Sequence, residues 1–341
     1  MMIDGKIGIC IVGAGRAGMI HAKNFMKNVP GAKLVAVADP VEEVAKASAE
    51  ELGLATWYPS HEDALGNPAI DAFVVVSPTK FHMEIVKAIA AEKKHILCEK
   101  PMAITELECD EMIRAADENG IKLQIGFMRR FDLSFRQAKE AVDAGEIGDV
   151  VMVRSNTRGP SIPRPWMYDI RKSNGPLAEV NSHDIDSMRW FAGSEFKTVY
   201  AIGGNYRCPD AKEEYPDFYD NVVLASSFEN GVQGMLDGAQ GVGYAYDAKM
   251  EILGTKGCIY LGDLRGSNMT ICHSDSGTAT YPLVESWRGL FKDAYLNEDI
   301  AFVNCIEKDT QPEVTGFDGK MAVRVVNAGN VSIAEKRIVT L

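Results

Sequence analysis

Basic residues are the scarce kind in this chain of 341 residues: 36 lysines and arginines face 48 aspartates and glutamates, for a net charge of -12. Binding to nucleic-acid phosphates or to an anionic membrane surface draws on clustered Lys and Arg. No such cluster is present, so neither partner class is expected. The 7 cysteines (Cys10, Cys98, Cys109, Cys208, Cys258, Cys272 and Cys305) are odd in number and scattered, with no Cys-x-x-Cys pair and no metal-ligand spacing. That pattern excludes a disulfide framework and fits reduced thiols in a cytoplasm. No apolar run approaches the ~20 residues that cross a bilayer. The opening MMIDGKIGICIVGAG enters a strand pattern without the basic segment and long apolar region of a leader, so a cytoplasmic protein is expected. Internal repeats and low-complexity linkers are absent as well.

What is present is ample core-forming material. With 46% hydrophobic residues, a chain of this length can bury a sizeable core and is expected to form two domains. In the first third, short Val/Ile-rich runs (Ile7–Val12, Leu34–Ala38, Ala72–Val76, His95–Cys98, Leu123–Gly126) alternate with helical patterns such as 41–52, 81–91 and 105–119. Strands without polar alternation are buried on both faces, as in a parallel sheet flanked by helices. Thr105 and Glu108 form a T-x-x-E capping box at the start of the last of these helices. Residues 1–128 therefore read as a doubly wound α/β domain of the dinucleotide-binding, Rossmann kind.

After about Arg130 the organisation changes. Helices are expected over 133–144 and from Gly175-Pro176 to about Phe191. Runs that alternate or carry β-branched residues follow (Thr198–Ile202, Asn221–Phe228, Lys249–Leu253, Cys258–Leu261, Met269–Cys272), with turn signals at Asn230-Gly231 and 255–257. Consecutive strands joined by tight turns indicate a large, mostly antiparallel open sheet. Two helices, roughly 291–307 and 317–334, finish the chain. Residues 129–341 are thus expected to form an α+β domain, to which the family resemblance given below assigns substrate binding and oligomerisation.

The strongest local motif is 13-GAGRAG-18, which follows a strand and opens a helix. In that context Gly13 permits the turn, Gly15 lets backbone approach a pyrophosphate, and Gly18 lets helix and strand pack closely. Arg16 and Ala17, at the mouth of the helix, join the cofactor-binding set because the helix N-terminus faces the anion. Asp39 ends the second strand at the spacing expected of a ribose-binding acid. Pro40 and Val41 follow it, with no Arg, Lys or Ser at hand to neutralise a 2′-phosphate, so NAD is expected rather than NADP. A dinucleotide domain places its ligand at the carboxyl ends of its strands. The segments 75-VVSPTKFH-82 and 97-LCEKP-101 both end strands, which directs Ser77, Thr79, Glu99 and Lys100 toward the nicotinamide. His82, just inside the next helix, either packs, caps or touches cofactor.

Together, 13-GAGRAG-18, 99-EKP-101, 126-GFMRRFD-132 and 183-HDIDSMRWF-191 resemble the Gfo/Idh/MocA oxidoreductases, and within that family the inositol dehydrogenases. The likeness runs through nearly the whole chain, including 244-YAYD-247, 252-ILGTKG-257 and 287-WRGLFKDAYLNEDIAFV-303. The resemblance implies hydride transfer from a cyclic polyol, sugar or glycoside, and a homo-oligomer (dimer or tetramer) built through the open face of the second sheet. It also implies a catalytic group made of the Lys of E-K-P, here Lys100, and a D-x-x-x-H pair, here 179-EVNSH-183. Glu179 and His183 are four residues apart on an expected helix and would share a face. An imidazole titrating near neutrality suits removal of a hydroxyl proton, and Glu179 would fix its tautomer. Arg130, Tyr244 and Tyr246 match positions that face substrate in inositol dehydrogenases. Thr157 and Gly159 stand where such an enzyme offers His and Asn, which points to a cavity that is wider and less polar on that wall. No metal is needed for this chemistry. Two other readings stay open: an NAD-dependent enzyme that cleaves glycosides through a transient keto-sugar, and an NAD-binding sensor without catalysis.

Overall fold

The computed structural model describes residues 5–341. The expectation that no leader precedes the first strand falls in part on residues 1–4, outside the described part.

Along the chain the elements are β1 (Ile7–Val12), α1 (Gly18–Lys27), β2 (Ala32–Ala38), α2 (Glu42–Leu52), β3 (Trp57–Tyr58), α3 (His61–Leu65), β4 (Ala72–Val75), α4 (His82–Ala91), β5 (His95–Glu99), α5 (Glu106–Asn119) and β6 (Leu123–Gly126). There follow α6 (Leu133–Asp143), β7 (Val150–Gly159), α7 (Ile170–Ser173), α8 (Gly175–Glu179), α9 (Ser182–Ala192), β8 (Phe196–Gly204), β9 (Asn221–Phe228), β10 (Gln233–Gln240), β11 (Asp247–Gly254) and β12 (Cys258–Leu261). The hairpin β13 (Ile271–His273) and β14 (Thr278–Thr280), the helices α10 (Trp287–Leu290), α11 (Lys292–Glu307) and α12 (Gly316–Glu335), and β15 (Val339–Thr340) complete it.

Two compact units result, Met1–Phe131 with Asp293–Val323 and Asp132–Lys292 with Arg324–Leu341. The first unit therefore takes residues 293–323, which the expected division at 128/129 assigned to the second. Its 6-stranded sheet has the order β3-β2-β1-β4-β5-β6, with every pairing parallel. Every residue of β1 and of β4 is buried, as strands covered on both faces require. The capping box at Thr105 forms as read, its hydroxyl accepting from the Glu108 N–H while the Glu108 carboxylate accepts from the Thr105 N–H. On one face the core joins Ile9, Phe25, Val37 and Leu97 to Phe302, Val303 and Cys305 of α11, so a late helix completes an early sheet.

The second unit holds a 7-stranded sheet of order β12-β11-β7-β10-β9-β8-β15. All of its pairings are antiparallel except β7 with β10, which run parallel. A Cβ at Gly234 would meet the Met188 side chain of α9 and one at Gly238 the Asn181 side chain, so glycines on β10 allow the helices to sit closely against this face. On the other face Tyr200, Ile202 and Val223 are exposed, with Ile202 directly paired to Val223.

Candidate active site

In the first unit the glycine motif has the conformation its chemistry needs. Gly13 adopts φ +98°, and a Cβ there would lie 2.8 Å from the Val76 carbonyl oxygen. A Cβ at Gly18 would lie 1.9 Å from the Gly13 carbonyl oxygen, whereas the space beside Gly15 is open. These are a side-chain-free turn, a tight helix–strand contact and an approachable backbone, in the order a pyrophosphate cradle requires. Arg16 and Ala17 lie between the turn and α1. Asp39 is fixed beside the turn, since Oδ2 accepts from the Ala14 N–H and Oδ1 from the Val41 N–H, both at 2.9 Å. The residues present therefore fit a dinucleotide, with Asp39 available to ribose hydroxyls.

Ser77 and Thr79 lie just past the carboxyl end of β4, while Glu99 is the last residue of β5 and Lys100 follows it. His82 is buried and spans the two loops: Nε2 lies 2.7 Å from the Ser77 carbonyl oxygen and Nδ1 lies 3.0 Å from that of Pro101. Its ring is engaged with backbone, which favours the packing role over cofactor contact. Burial pushes its pKa below the ordinary histidine range against the raising effect of those carbonyls. Glu99 is also buried, and its Oε2 accepts from the Lys100 N–H at 2.9 Å. Arg130 forms a buried ion pair with Asp318 at 3.0 Å, and Asp318 in turn accepts from the Thr315 N–H and hydroxyl at 2.8 Å.

Beneath this strand end lies a cluster that no local pattern announces. His21 Nδ1 lies 2.6 Å from Asp299 Oδ1, and its Nε2 lies 3.3 Å from Glu99 Oε1. The second Asp299 oxygen accepts from the Asn24 amide at 2.8 Å. Burial alone would lower the His21 pKa, but the two carboxylates outweigh it and raise it well above the ordinary value. His21, Glu99 and Glu298 present ligand-type atoms within 4.8 Å of one another. With both His21 ring nitrogens directed at carboxylates, the group is an imidazolium-centred ion cluster and not a metal-ligand set. His21 and Asp299 are 278 positions apart, a separation that no local pattern can register.

In the second unit one expectation is corrected. Glu179 and His183 do not share a continuous helix: α8 ends at Glu179, residues 180 and 181 turn, and α9 begins at Ser182. The break follows from local chemistry. The N–H groups of Val180 and Asn181 both fold back on the Pro176 carbonyl, and the Asn181 amide donates forward to Asp184 Oδ2 at 2.8 Å. Asn and Ser side chains compete for backbone-like partners in this way and favour helix ends over interiors. The shared-face argument for the pair therefore lapses, and His183 is placed instead by the first turn of a buried helix.

Asp184 gathers several donors: besides Asn181, the hydroxyls of Ser155 (2.5 Å) and Thr157 (2.9 Å) donate to its Oδ1. Thr157 is thus 1% exposed, with its hydroxyl spent on holding β7 to α9. Tyr246 is buried edge-on to Phe291, with ring centroids 6.5 Å apart. Tyr244 is 45% exposed and donates to Asp247 Oδ2 at 3.0 Å. A further group missed in the sequence links these strands: Arg158 Nε donates to Asp237 Oδ1 at 2.7 Å, and its Nη1 lies 3.7 Å from Asp247 Oδ2. Gly159 has only Tyr246 near it, at 3.9 Å from an added Cβ, so a side chain there would find space.

A family model described as an oxidoreductase family with an NAD-binding Rossmann fold matches residues 7–127, and one described as the GFO/IDH/MocA C-terminal domain matches residues 135–260. The chain is 34% identical to a myo-inositol 2-dehydrogenase of Thermotoga maritima over 98% of both chains. It is 32% identical to a scyllo-inositol 2-dehydrogenase (NAD(+)) of Bacillus subtilis, over 95% of this chain and 93% of the relative. Among solved structures, a scyllo-inositol dehydrogenase of Lactobacillus casei with bound NAD(H) and scyllo-inositol superposes with a TM-score of 0.89 at 29% identity, covering 98% of this chain and 99% of that one. With both halves matched in order, a glycine turn shaped for a pyrophosphate and an E-K-P strand end, the chain belongs to the Gfo/Idh/MocA oxidoreductases and takes NAD as its cofactor.

Proposed function

We propose that the protein is an NAD-dependent dehydrogenase that oxidises a secondary hydroxyl of a cyclic polyol or sugar. The observation that carries this reading is the joint occurrence of a dinucleotide-shaped glycine turn with Asp39 beside it and an E-K-P strand end, in a chain whose nearly full-length relatives are named inositol dehydrogenases. NAD, when bound, supplies the hydride acceptor. The chain's own residues would do the rest. Backbone at Gly13 and Gly15, with Arg16 and Ala17, would hold the pyrophosphate, Asp39 the ribose, and the loops of Ser77, Thr79 and Glu99 the nicotinamide end.

Lys100 and His183 would take up the hydroxyl proton as the general acid–base pair of the reaction. Glu179 would support His183, not by helical stacking but as the last residue of the preceding helix. Arg130, Tyr244 and Tyr246 would shape the substrate side, with Arg130 held in place by Asp318. Thr157 would act indirectly, through Asp184 and the first turn of α9. The protein would be a cytoplasmic homo-oligomer, dimer or tetramer, assembled through the exposed apolar face of Tyr200, Ile202 and Val223.

The test is a dehydrogenation screen with NAD against inositols, aldoses and glycosides, following NADH. NADH formation with a primary deuterium isotope effect on at least one cyclic polyol or sugar is expected. Release of a free sugar without NADH would instead favour glycoside cleavage, and NAD binding with no turnover on any of them would favour a sensor.

A further inference from the structure

The ion cluster beneath the strand end contains a carboxyl group that nothing described so far uses. Glu298 is fully buried, and neither of its side-chain oxygens has a hydrogen-bond partner among the described residues. Its neighbours are the carboxylates of Glu99 and Asp299 and the ring of His21, with His21 and Glu99 within 4.8 Å. The two other acids are satisfied as anions. Asp299 receives the His21 ring on one oxygen and the Asn24 amide on the other, and Glu99 receives His21 and the Lys100 N–H. An ionised carboxylate with no donor, buried beside two further anions and one shared cation, would be far more costly than its neutral form.

We propose that Glu298 is a neutral carboxylic acid at physiological pH, and that with it His21, Glu99 and Asp299 form a buried positioning unit that fixes the backbone of Lys100. The charges then amount to one imidazolium between two carboxylates, with the acid adding none. Burial, followed by the charge of Glu99, pushes the Glu298 pKa well above the ordinary range. Asp299 is also pushed up by burial, but its two donors keep the proton off it in favour of Glu298. Two further titratable groups lie against Glu99: His82 at the start of α4, whose pKa burial lowers, and Cys98, whose thiol burial pushes up, so neither adds a settled charge. Through Glu99 the unit grips the main-chain N–H of Lys100, a link by which a group this deep would act on the proposed proton-handling lysine. That consequence rests on the role proposed for Lys100; the protonation of Glu298 does not.

The experiment has two arms. In the first, infrared difference spectra of wild type minus Glu298→Gln at pH 7 should contain a protonated carboxylic-acid band, which is also sought in the wild-type spectrum alone by its shift in D2O. Denaturant unfolding of both proteins is followed from pH 4 to 9. A carboxyl whose folded pKa is raised destabilises the fold progressively as pH rises above its unfolded pKa. The folding equilibrium of Glu298→Gln relative to wild type should therefore grow about tenfold per pH unit from roughly pH 4.5 until the folded pKa is reached. A carboxylate band in the difference spectrum, or a pH-independent stability difference, overturns the protonation. If a divalent metal such as Mn2+ or Zn2+ binds wild type stoichiometrically and not Glu298→Gln, a cation site replaces the proposal.

In the second arm, Asp299→Asn, which loosens the His21 anchor without altering a cofactor-loop residue, is expected to lower kcat by roughly 10- to 100-fold while leaving the Kd for NAD within about twofold, the signature of a displaced group and not of lost cofactor binding. A tenfold rise in Kd with kcat retained would make the unit a support of cofactor binding and refute its positioning of Lys100. If Lys100→Met itself keeps full turnover, the fault lies with the proposed role of Lys100, and the infrared result still stands or falls by itself.

Discussion

Asp39 offers a quantitative handle on cofactor choice. Its carboxylate is pinned by two backbone N–H groups at 2.9 Å, so it cannot readily swing away from an approaching phosphate. Two like unit charges about 4 Å apart repel by about 1 kcal/mol at the dielectric of water and about 4 kcal/mol at an effective value near 20. That range corresponds to roughly 5- to 1,000-fold in affinity, and a preference for NAD over NADP of at least ~10-fold is expected of the wild type. Asp39→Asn keeps the size of the side chain and one of its acceptor oxygens while removing the charge. A hydrogen bond to a charged acceptor exceeds one to a neutral acceptor by about 1 kcal/mol. NAD should accordingly weaken ~5- to 10-fold while NADP gains from relief of repulsion, so that the preference shrinks by at least ~10-fold. Calorimetric titration of both proteins with both cofactors measures this, with an unchanged melting temperature showing that the turn at Ala14 survives. Equal wild-type affinities, or a ratio that Asp39→Asn leaves unmoved within about twofold, would refute the role given to this carboxylate.

Lys100→Met and His183→Ala should each lower kcat by roughly 10²-fold or more in steady-state assays on the best substrate, with NAD binding by Lys100→Met largely retained. Near wild-type turnover of either would remove that residue from the proton-handling group. Phe302, fully buried in the core of the first unit, should cost about 3–5 kcal/mol when truncated to Ala, read as a lowered urea midpoint. On the substrate side, the open space at Gly159 leads us to expect that pyranosides outperform myo-inositol by roughly 10- to 100-fold in kcat/KM, and that Gly159→Asn narrows the gap. A clear wild-type preference for myo-inositol would sink that expectation.

The parallel sheet could be read from sequence because its evidence is local. Runs such as 7–12 and 72–75 are apolar throughout, and within 13–18 Gly13 is demanded by its own positive φ and Gly18 by a contact with the Gly13 carbonyl of the same turn. The capping box is likewise a four-residue affair. Legibility failed where two interpretations share one pattern: a helix from 175 to 191 and two helices broken at 180–181 carry the same apolar spacing, and only the partners of Asn181 separate them. It failed again for groups assembled from distant positions. The hydroxyl of Thr157 looks free to face a ligand until Asp184 is placed beneath it. No local pattern marks the acids of α11 as buried, yet Glu298 and Asp299 are wholly buried against His21 and Glu99.

The return of residues 293–323 to the first unit bears on how the protein is made. A ribosome delivers the chain from its N-terminus at about 5–20 residues per second, so α11 emerges on the order of ten seconds after β6. Throughout that interval the faces of β1, β2 and α1 that Phe302 and Val303 will cover lie open to solvent, next to a His21 that still awaits its counter-ion Asp299. By topology, then, the core of the nascent nucleotide-binding half is closed only once residues 293–323 have emerged.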